Sequence, residues 1–177
     1  MPRVNLQTQL QPTASQPLLS QVQQAFGMTP NMFKAVGNSP AALQAMWGFF
    51  GALGGGTLGA QLGEQIAVAV ANRNACEYCL AAHTVLGKQA GATAEQMAAA
   101  QVGRSDHPRT AAALAFALKV VENRAQITDA DVANLHEVGF NDEQVVEILA
   151  YVALNVFTNY VNVAFDVPVD FPRVVLR

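Results

Sequence analysis

The sequence is poor in charged residues. Aspartate, glutamate, lysine and arginine make up only 13% of its 177 residues, against 51% for hydrophobic residues, whereas globular proteins usually carry about 25% charged residues. The large hydrophobic share excludes an intrinsically disordered chain. The net charge of −3 excludes the basic face that a general nucleic-acid-binding protein needs. Because a surface with so few charges is expected to be partly buried between subunits, we predict a homo-oligomer.

The sequence also lacks a recognisable secretion signal and a convincing membrane span. Residues 1–17 contain several glutamines and no continuous apolar segment, unlike a signal peptide. The apolar stretch over residues 41–62 is interrupted by glutamines and by three consecutive glycines, which is more typical of a broken soluble helix than of a membrane span. We therefore predict a cytoplasmic protein without a membrane partner, in a compartment where thiols are normally reduced.

The alternation of apolar and polar residues that marks β-strands is almost absent. Helix-capping sequences recur instead, such as TAEQ from Thr93 and NDEQ from Asn141. The sequence thus predicts an all-α fold, a single-domain helical bundle. We expect an irregular amino-terminal arm over residues 1–19, a helical domain over residues 20–165 and an extended tail over residues 166–177, where two prolines disfavour a helix.

The chain has only two cysteines, Cys76 and Cys79, at the start of a helix predicted over residues 76–90. Because a structural disulfide gains most from closing a long loop, this short spacing favours redox chemistry. Residues three or four apart share a helix face, so the two sulfurs lie together and His83 lies beside Cys79. An imidazole there can take the thiol proton, and the first helical turn favours a thiolate. We predict that Cys79 is the nucleophile, Cys76 the resolving thiol and His83 the base.

Two other uses of the cysteine pair stay open. Free cysteines often serve only as small hydrophobic core residues. A Cys-x-x-Cys pair can also be half of a zinc site, but zinc normally takes four ligands. The sequence has no second cysteine pair, and its other histidines, His107 and His136, are distant. We therefore expect no metal and no other cofactor, and a metal-binding module is the weakest reading, which elemental analysis would decide.

Three polar residues in apolar surroundings are further candidates for the site. Glu64 lies in an apolar segment of a helix predicted over residues 59–73. A carboxylate there is costly unless it is hydrogen-bonded or used chemically, but it can also be solvated in the first turn and stabilised by the helix dipole. These residues alone slightly favour the solvated carboxylate. Asn159 and Asn162 either line the active site, satisfy backbone groups or serve an oligomer contact.

Two segments of the chain are weakly similar to each other. When residues 64–66 are aligned with residues 143–145, the two cysteines and the histidine fall opposite Asn155, Thr158 and Asn162. The identities are few, so chance similarity is one reading. The other is an internally duplicated helical unit in which only the first copy keeps the chemistry.

The motif residues carry a family resemblance. Glu64 followed by CEYCLAAH over residues 76–83 resembles the Glu…Cys-x-x-Cys-x-x-x-His signature of the AhpD-like alkylhydroperoxidases, within the carboxymuconolactone decarboxylase superfamily. The ending FTNYVNVAFDVPVDFP, over residues 157–172, is similar to that of its uncharacterised peroxidase-related members. The resemblance implies an all-helical fold, assembly into trimers or hexamers, and thiol-dependent reduction of hydroperoxides. It also implies a dithiol electron donor, lipoyl or thioredoxin-like.

By position, the resemblance makes Cys79 the peroxidatic thiol, Cys76 the resolving thiol, and His83 and Glu64 proton-relay residues. Tyr78 departs from the pattern, because the best-studied enzymes of the family carry a histidine there. The decarboxylase branch lacks the cysteine pair. The sequence therefore predicts a thiol peroxidase of antioxidant defence that cycles through a sulfenic acid and a disulfide. The alternative is a non-catalytic redox-sensing oligomer that uses the same pair as a switch.

Overall fold

The computed structural model describes residues 1–7 and 13–177. This part of the chain folds into nine helices and contains no strand, which confirms the all-α prediction. The helices are α1 Gln16–Phe26, α2 Asn31–Val36, α3 Pro40–Gly54, α4 Ala60–Arg73, α5 Glu77–Gln89, α6 Ala94–Gln101, α7 Pro108–Glu122, α8 Asp129–Glu137 and α9 Asp142–Ala164.

The helix α4 is the centre of the bundle and packs against α5, α6, α7 and α9. Its interior side chains are small or β-branched, so neighbouring helices can approach it on several sides. Eight of its residues are buried, among them Ile66, Val68 and Val70. Because α4 is surrounded, a side chain that it directs towards α5 is held in place by packing, and Glu64 is such a residue.

A tight turn joins α4 to α5 and places both cysteines. Ala75 adopts a left-handed conformation with φ of 51°, and the backbone N–H of Cys76 donates back to Ala71 O at 2.9 Å. Cys76 then precedes α5 in an extended conformation, and its Sγ accepts the backbone N–H of Cys79 at 3.3 Å. The helix predicted from residue 76 therefore begins one residue later, because the Cys76 sulfur takes the capping position.

The helix α9 begins with a capping box formed by Asn141 and Gln144, as predicted. By length and composition alone it could cross a membrane. Its inner face nevertheless packs against α4 inside the bundle and carries the buried side chains of Asn155, Asn159 and Asn162. Polar residues on the packed face are typical of a core helix whose amides have partners within the protein.

The helical region begins earlier than the sequence predicted. The first helix starts at Gln16 rather than at residue 20, because Pro17 fits the first turn, where no backbone N–H partner is needed. Residues 8–12 of the predicted arm lie outside the described residues.

The tail after α9 contains no helix, as expected from its prolines, and runs back over α2. The backbone N–H of Asn31 donates to Asp170 Oδ2 at 2.8 Å. This contact sets Phe171 against Tyr78 of α5 in an edge-to-face arrangement, with ring centroids 5.7 Å apart. The tail thereby closes one side of the space in front of the cysteines.

Candidate functional site

The two cysteines form a buried thiol pair at the amino-terminal end of α5. Cys76 is 1% exposed and Cys79 is 2% exposed, and both are free thiols. The backbone N–H of Cys79 donates to Cys76 Sγ at 3.3 Å. The short spacing read from the sequence thus brings the two sulfurs together, with Cys79 in the first turn of the helix, where the helix dipole favours a thiolate.

His83 and Glu64 form a hydrogen-bonded pair behind Cys79. His83 Nδ1 lies 2.7 Å from Glu64 Oε2, and both side chains are largely buried. Because an ionised carboxylate only accepts hydrogen bonds, Nδ1 carries the proton in the neutral ring and Nε2 is left as the basic nitrogen. The solvated carboxylate that the sequence alone slightly favoured is wrong, since Glu64 is held between α4 and α5 by its contact with the imidazole.

The electrostatics of this cluster distinguish the two thiols. Burial opposes ionisation of Cys79, but the hydrogen bond from Cys76, the positive charge of His83 and the amides of Asn162 and Asn159 together lower its pKa to about 7. The hydrogen bond with Cys79 and burial raise the pKa of Cys76. Cys79 is therefore the thiol that ionises near neutral pH, while Cys76 stays protonated and donates to it.

Burial also acts on the histidine, but its charged neighbours act in the opposite direction. Burial lowers the pKa of His83, whereas the Glu64 carboxylate and the Cys79 thiolate raise it, and the net pKa is raised. A raised imidazole pKa next to a lowered thiol pKa favours the thiolate–imidazolium pair over the neutral pair. The cluster can therefore supply both a nucleophile and a proton.

Tyr78 replaces the second histidine of the best-studied family members and has a different part here. Its hydroxyl oxygen accepts the backbone N–H of Met32 at 3.2 Å. Burial raises the pKa of Tyr78, so the phenol stays neutral. Tyr78 therefore connects α5 to α2 through Met32 and to the tail through Phe171. His83 is then the basic side chain next to Cys79.

Asn162 contacts Cys79, and the sequence alone did not assign this contact. Its Nδ2 donates to Cys79 Sγ at 3.1 Å, although 83 positions separate the two residues. Asn159 is the neighbouring buried amide on α9, and its Oδ1 accepts Asn74 Nδ2 at 3.0 Å. The available signal was the run of polar residues on an otherwise apolar helix, but that signal does not say which partner each amide meets.

Cys79 and His83 face a small apolar cavity of about 40 Å³. Aromatic rings from four helices and the tail form part of its wall. They are Phe26, Phe33, Phe50, Tyr78 and Phe171. A cavity of this size has room for the head of a small molecule, and its apolar wall favours an apolar body over water.

Cys76 and Glu64 face other spaces. Cys76 borders an open groove of about 400 Å³, which Glu77, Asp166 and Arg173 also line. Glu64 lies, with the other face of His83, on a cavity of about 130 Å³. The two thiols are thus approached from different sides, Cys79 through the apolar cavity and Cys76 through a polar groove.

Residues 1–7 and 13–177 contain no group of three or more histidine, cysteine, aspartate or glutamate side chains arranged to hold a metal ion. His107 and His136 are exposed and are not neighbours of the thiol pair. His136 Nε2 instead lies 3.0 Å from Asp142 Oδ1 at the surface.

Residues 40–123 match the Carboxymuconolactone decarboxylase family. This segment contains Glu64, both cysteines and His83. This match and the similar solved structures support the AhpD/carboxymuconolactone decarboxylase superfamily that the motif predicted. They suggest a peroxidase-related role, although the superfamily also contains decarboxylases.

Solved structures of the superfamily share the fold. An uncharacterized peroxidase-related protein from Silicibacter sp. TM1040 is 28% identical with a TM-score of 0.83, over 94% of this chain and 91% of that chain. The AhpD-core, uncharacterized peroxidase-related protein from Ralstonia eutropha JMP134 is 28% identical with a TM-score of 0.81, over 96% of this chain and 92% of that chain. A variant of the debrominase Bmp8, in complex with 2,3,4-tribromopyrrole, is 23% identical with a TM-score of 0.75, over 87% of this chain and 84% of that chain. A search of curated proteins found no match.

Proposed function

We propose that this protein is a thiol-dependent peroxidase that reduces organic hydroperoxides through Cys79, Cys76, His83 and Glu64, in antioxidant defence. The observation that carries the proposal is the position of the Cys79 thiol. It lies next to the His83–Glu64 pair, has a partner thiol in Cys76 and opens onto an apolar cavity. The likeness to peroxidase-related proteins supports the same reaction class.

In the first step the Cys79 thiolate attacks the terminal oxygen of the hydroperoxide. The O–O bond breaks, a sulfenic acid forms on Cys79, and the alkoxide leaves with the proton that His83 had taken from the thiol, so that an alcohol is released. Glu64 keeps the imidazole oriented and stabilises its positive charge during this transfer. The step needs no bound metal or organic cofactor, because the thiol supplies both electrons.

In the second step the Cys76 thiol attacks the oxidised sulfur of Cys79. A disulfide forms and water leaves, with one proton from the Cys76 thiol. An external dithiol, lipoyl or thioredoxin-like, then reduces the disulfide and is itself oxidised to a disulfide. We place its approach in the groove beside Cys76, because that groove is about 400 Å³ in volume, whereas the apolar cavity in front of Cys79 is only about 40 Å³.

The apolar wall of the cavity supports organic hydroperoxides over hydrogen peroxide as substrates. The rings of Phe33, Phe50 and Phe171 surround the approach to Cys79. An alkyl or aryl group gains from leaving water to pack against these rings, whereas hydrogen peroxide has only polar atoms, which need hydrogen-bond partners. We therefore expect a lower KM for cumene hydroperoxide than for hydrogen peroxide.

Two single substitutions test the proposed cycle. Cys79→Ser removes the activated thiol, so this variant consumes hydroperoxide no faster than the double variant. Cys76→Ser keeps the nucleophile but lacks the resolving thiol, so it reacts once, accumulates sulfenic acid on Cys79 and proceeds to sulfinic acid at higher peroxide. Mass spectrometry after brief exposure to peroxide measures both products. An oxygen adduct on Cys76 in the Cys79→Ser variant, with none on Cys79 in the Cys76→Ser variant, would reverse the assignment of the two thiols.

Steady-state turnover separates this function from its alternative, a redox-sensing switch that uses the same thiols. A peroxidase consumes many equivalents of hydroperoxide in the presence of dihydrolipoamide or a thioredoxin system, whereas a switch consumes about one equivalent and stops. If both cysteines are oxidised slowly and at the same rate, neither thiol is activated, and both the peroxidase and the redox switch would lose their physical basis.

We also propose that the protein works as a cytoplasmic homo-oligomer, a trimer or hexamer as in its family. An exposed apolar stripe on α9 supports this, because its members are separated by three or eight residues and so lie on one face of the helix. The stripe consists of Val146, Leu149, Phe157, Tyr160 and Val163, which are between 42% and 64% exposed. The cytoplasm is the compartment in which a dithiol donor is maintained in its reduced form.

A further inference from the structure

We infer that Asn162 and Asn159 form a two-amide site on α9 that holds Cys79 as a thiolate for its reaction with peroxide. Asn162 contacts the reacting sulfur directly, and Asn159 supplies a second, unused donor beside it. The inference rests on the proposed function for its role in catalysis, but the thiolate that it concerns is observable without any peroxide.

The orientation of the Asn162 amide is determined by its other partner. Its Nδ2 donates both to Cys79 Sγ at 3.1 Å and to the backbone oxygen of Thr158 at 3.0 Å. Because a carbonyl oxygen only accepts, the amide nitrogen must face Thr158, and exchanging nitrogen for oxygen would place two acceptors together. One N–H is therefore directed at the sulfur before any charge develops there.

Asn159 has a donor without an acceptor. The residue is fully buried, its Oδ1 accepts Asn74 Nδ2 at 3.0 Å, and its Nδ2 has no hydrogen-bond partner. Asn74 follows α4 at its C-cap, so this contact links the Asn159 amide to the end of α4. A buried N–H without a partner is costly, and a thiolate is a much better acceptor than a thiol. Ionisation of Cys79 therefore gives this amide the partner that it lacks.

The charges around Cys79 come from other elements. His83, Tyr78 and Cys76 lie on or just before α5, and Glu64 reaches His83 from α4. The buried residues of α9 include no charged side chain, and both amides contribute to lowering the pKa of the Cys79 thiol. A helix that presents only neutral donors can stabilise the anion without competing with His83 for the proton.

Asn155 provides a matched control on the same helix. It is equally buried, and its Nδ2 donates to Tyr151 O at 2.9 Å, one turn back along α9. Its side chain has no hydrogen bond to either cysteine. If the asparagines serve only to satisfy the backbone of α9, replacing Asn155 and Asn162 should have the same consequences.

The test is a pH titration of the Cys79 thiolate by its ultraviolet absorbance, in full-length protein carrying Cys76→Ser. We expect Asn162→Leu to move the midpoint up by about one pH unit, which is about tenfold less thiolate below the midpoint. Asn159→Leu moves it in the same direction by a smaller amount, and Asn155→Leu leaves it unchanged. An unchanged midpoint in folded Asn162→Leu, or an equal displacement in Asn155→Leu, overturns the inference. Should Asn162→Leu fail to fold, the smaller Asn162→Ala gives the same determination.

The rate of sulfenic acid formation gives a second readout. In the Cys76→Ser background, Asn162→Leu should react about fivefold more slowly near pH 7, and the difference should disappear above its own midpoint. A merely structural defect would slow the reaction equally at every pH, which would count against the amide site. If the midpoint of the Cys79 titration is displaced but neither the parent nor any variant reduces peroxide, the peroxidase is refuted and the amide site is still supported. If the protein turns over peroxide but the midpoints of the Cys79 titration are the same in the asparagine variants as in the parent, the peroxidase is supported and the amide site is overturned.

Discussion

Replacing Glu64 with glutamine removes a charge behind His83 and changes little else. The carboxylate contacts His83 Nδ1 at 2.7 Å, and the two side chains are only 22% and 11% exposed, so solvent screens the pair weakly. A hydrogen bond to a charged group contributes about 1.5–3 kcal/mol and a neutral one about 0.5–1.5 kcal/mol. The difference corresponds to a fall of about one pH unit in the pKa of His83, at 1.36 kcal/mol for each unit.

The effect passes to Cys79 with a definite sign. Burial lowers the pKa of His83 and Glu64 raises it, so Glu64→Gln lowers the pKa of His83 and favours the neutral imidazole. The thiol then loses the positive neighbour that helps to lower its pKa to about 7, and that pKa rises. A rise of about one pH unit leaves about one-tenth of the thiol ionised at pH 7 instead of one-half, so the peroxide reaction slows about fivefold.

Single-turnover oxidation by cumene hydroperoxide, followed from about pH 6 to pH 10, measures this effect. The ratio of the parent rate to the Glu64→Gln rate should be largest at and below neutral pH and should approach one above the pKa of the variant thiol. Glu137→Gln neutralises an exposed carboxylate on α8 and should leave the profile unchanged. A ratio that stays constant with pH, or no slowing at all, would refute the proton-relay role of Glu64.

Two further predictions concern association and packing. Tyr160→Glu places a charge in the exposed stripe on α9 and should reduce the mass measured by light scattering. Val175→Glu, at a more exposed apolar residue on the tail, should leave that mass unchanged. A parent protein that is a stable monomer would refute the proposed oligomer. Gly63→Ala would bring a Cβ within 2.7 Å of the Tyr151 ring, while Gly48→Ala has nothing within 4 Å. Both substitutions gain the same helix propensity, so the difference between them reports the contact with Tyr151. Denaturant unfolding should show that Gly63→Ala is less stable than Gly48→Ala by about 1–3 kcal/mol. Equal stabilities would contradict the close approach of α4 and α9.

Features that depend on neighbours along the chain were readable from the sequence. The capping boxes, the all-α fold and the shared face of Cys76, Cys79 and His83 follow from the helical repeat, which acts over three or four residues. Even there the local detail differed. Cys76 lies just before α5 because its sulfur caps the helix, and periodicity cannot separate a capping position from the first helical one.

Contacts between helices were decided only by the tertiary structure. Glu64 reaches His83 across 19 positions and Asn162 reaches Cys79 across 83, and the aromatic cavity combines side chains from α1, α2, α3, α5 and the tail. Sequence periodicity shows that a polar residue lies on an apolar face, but not which group it meets, because that depends on how the helices pack. The spacing of the thiols thus predicted which residues lie together on α5, whereas the packing of the helices decided which carboxylate, amide and cavity lie next to them.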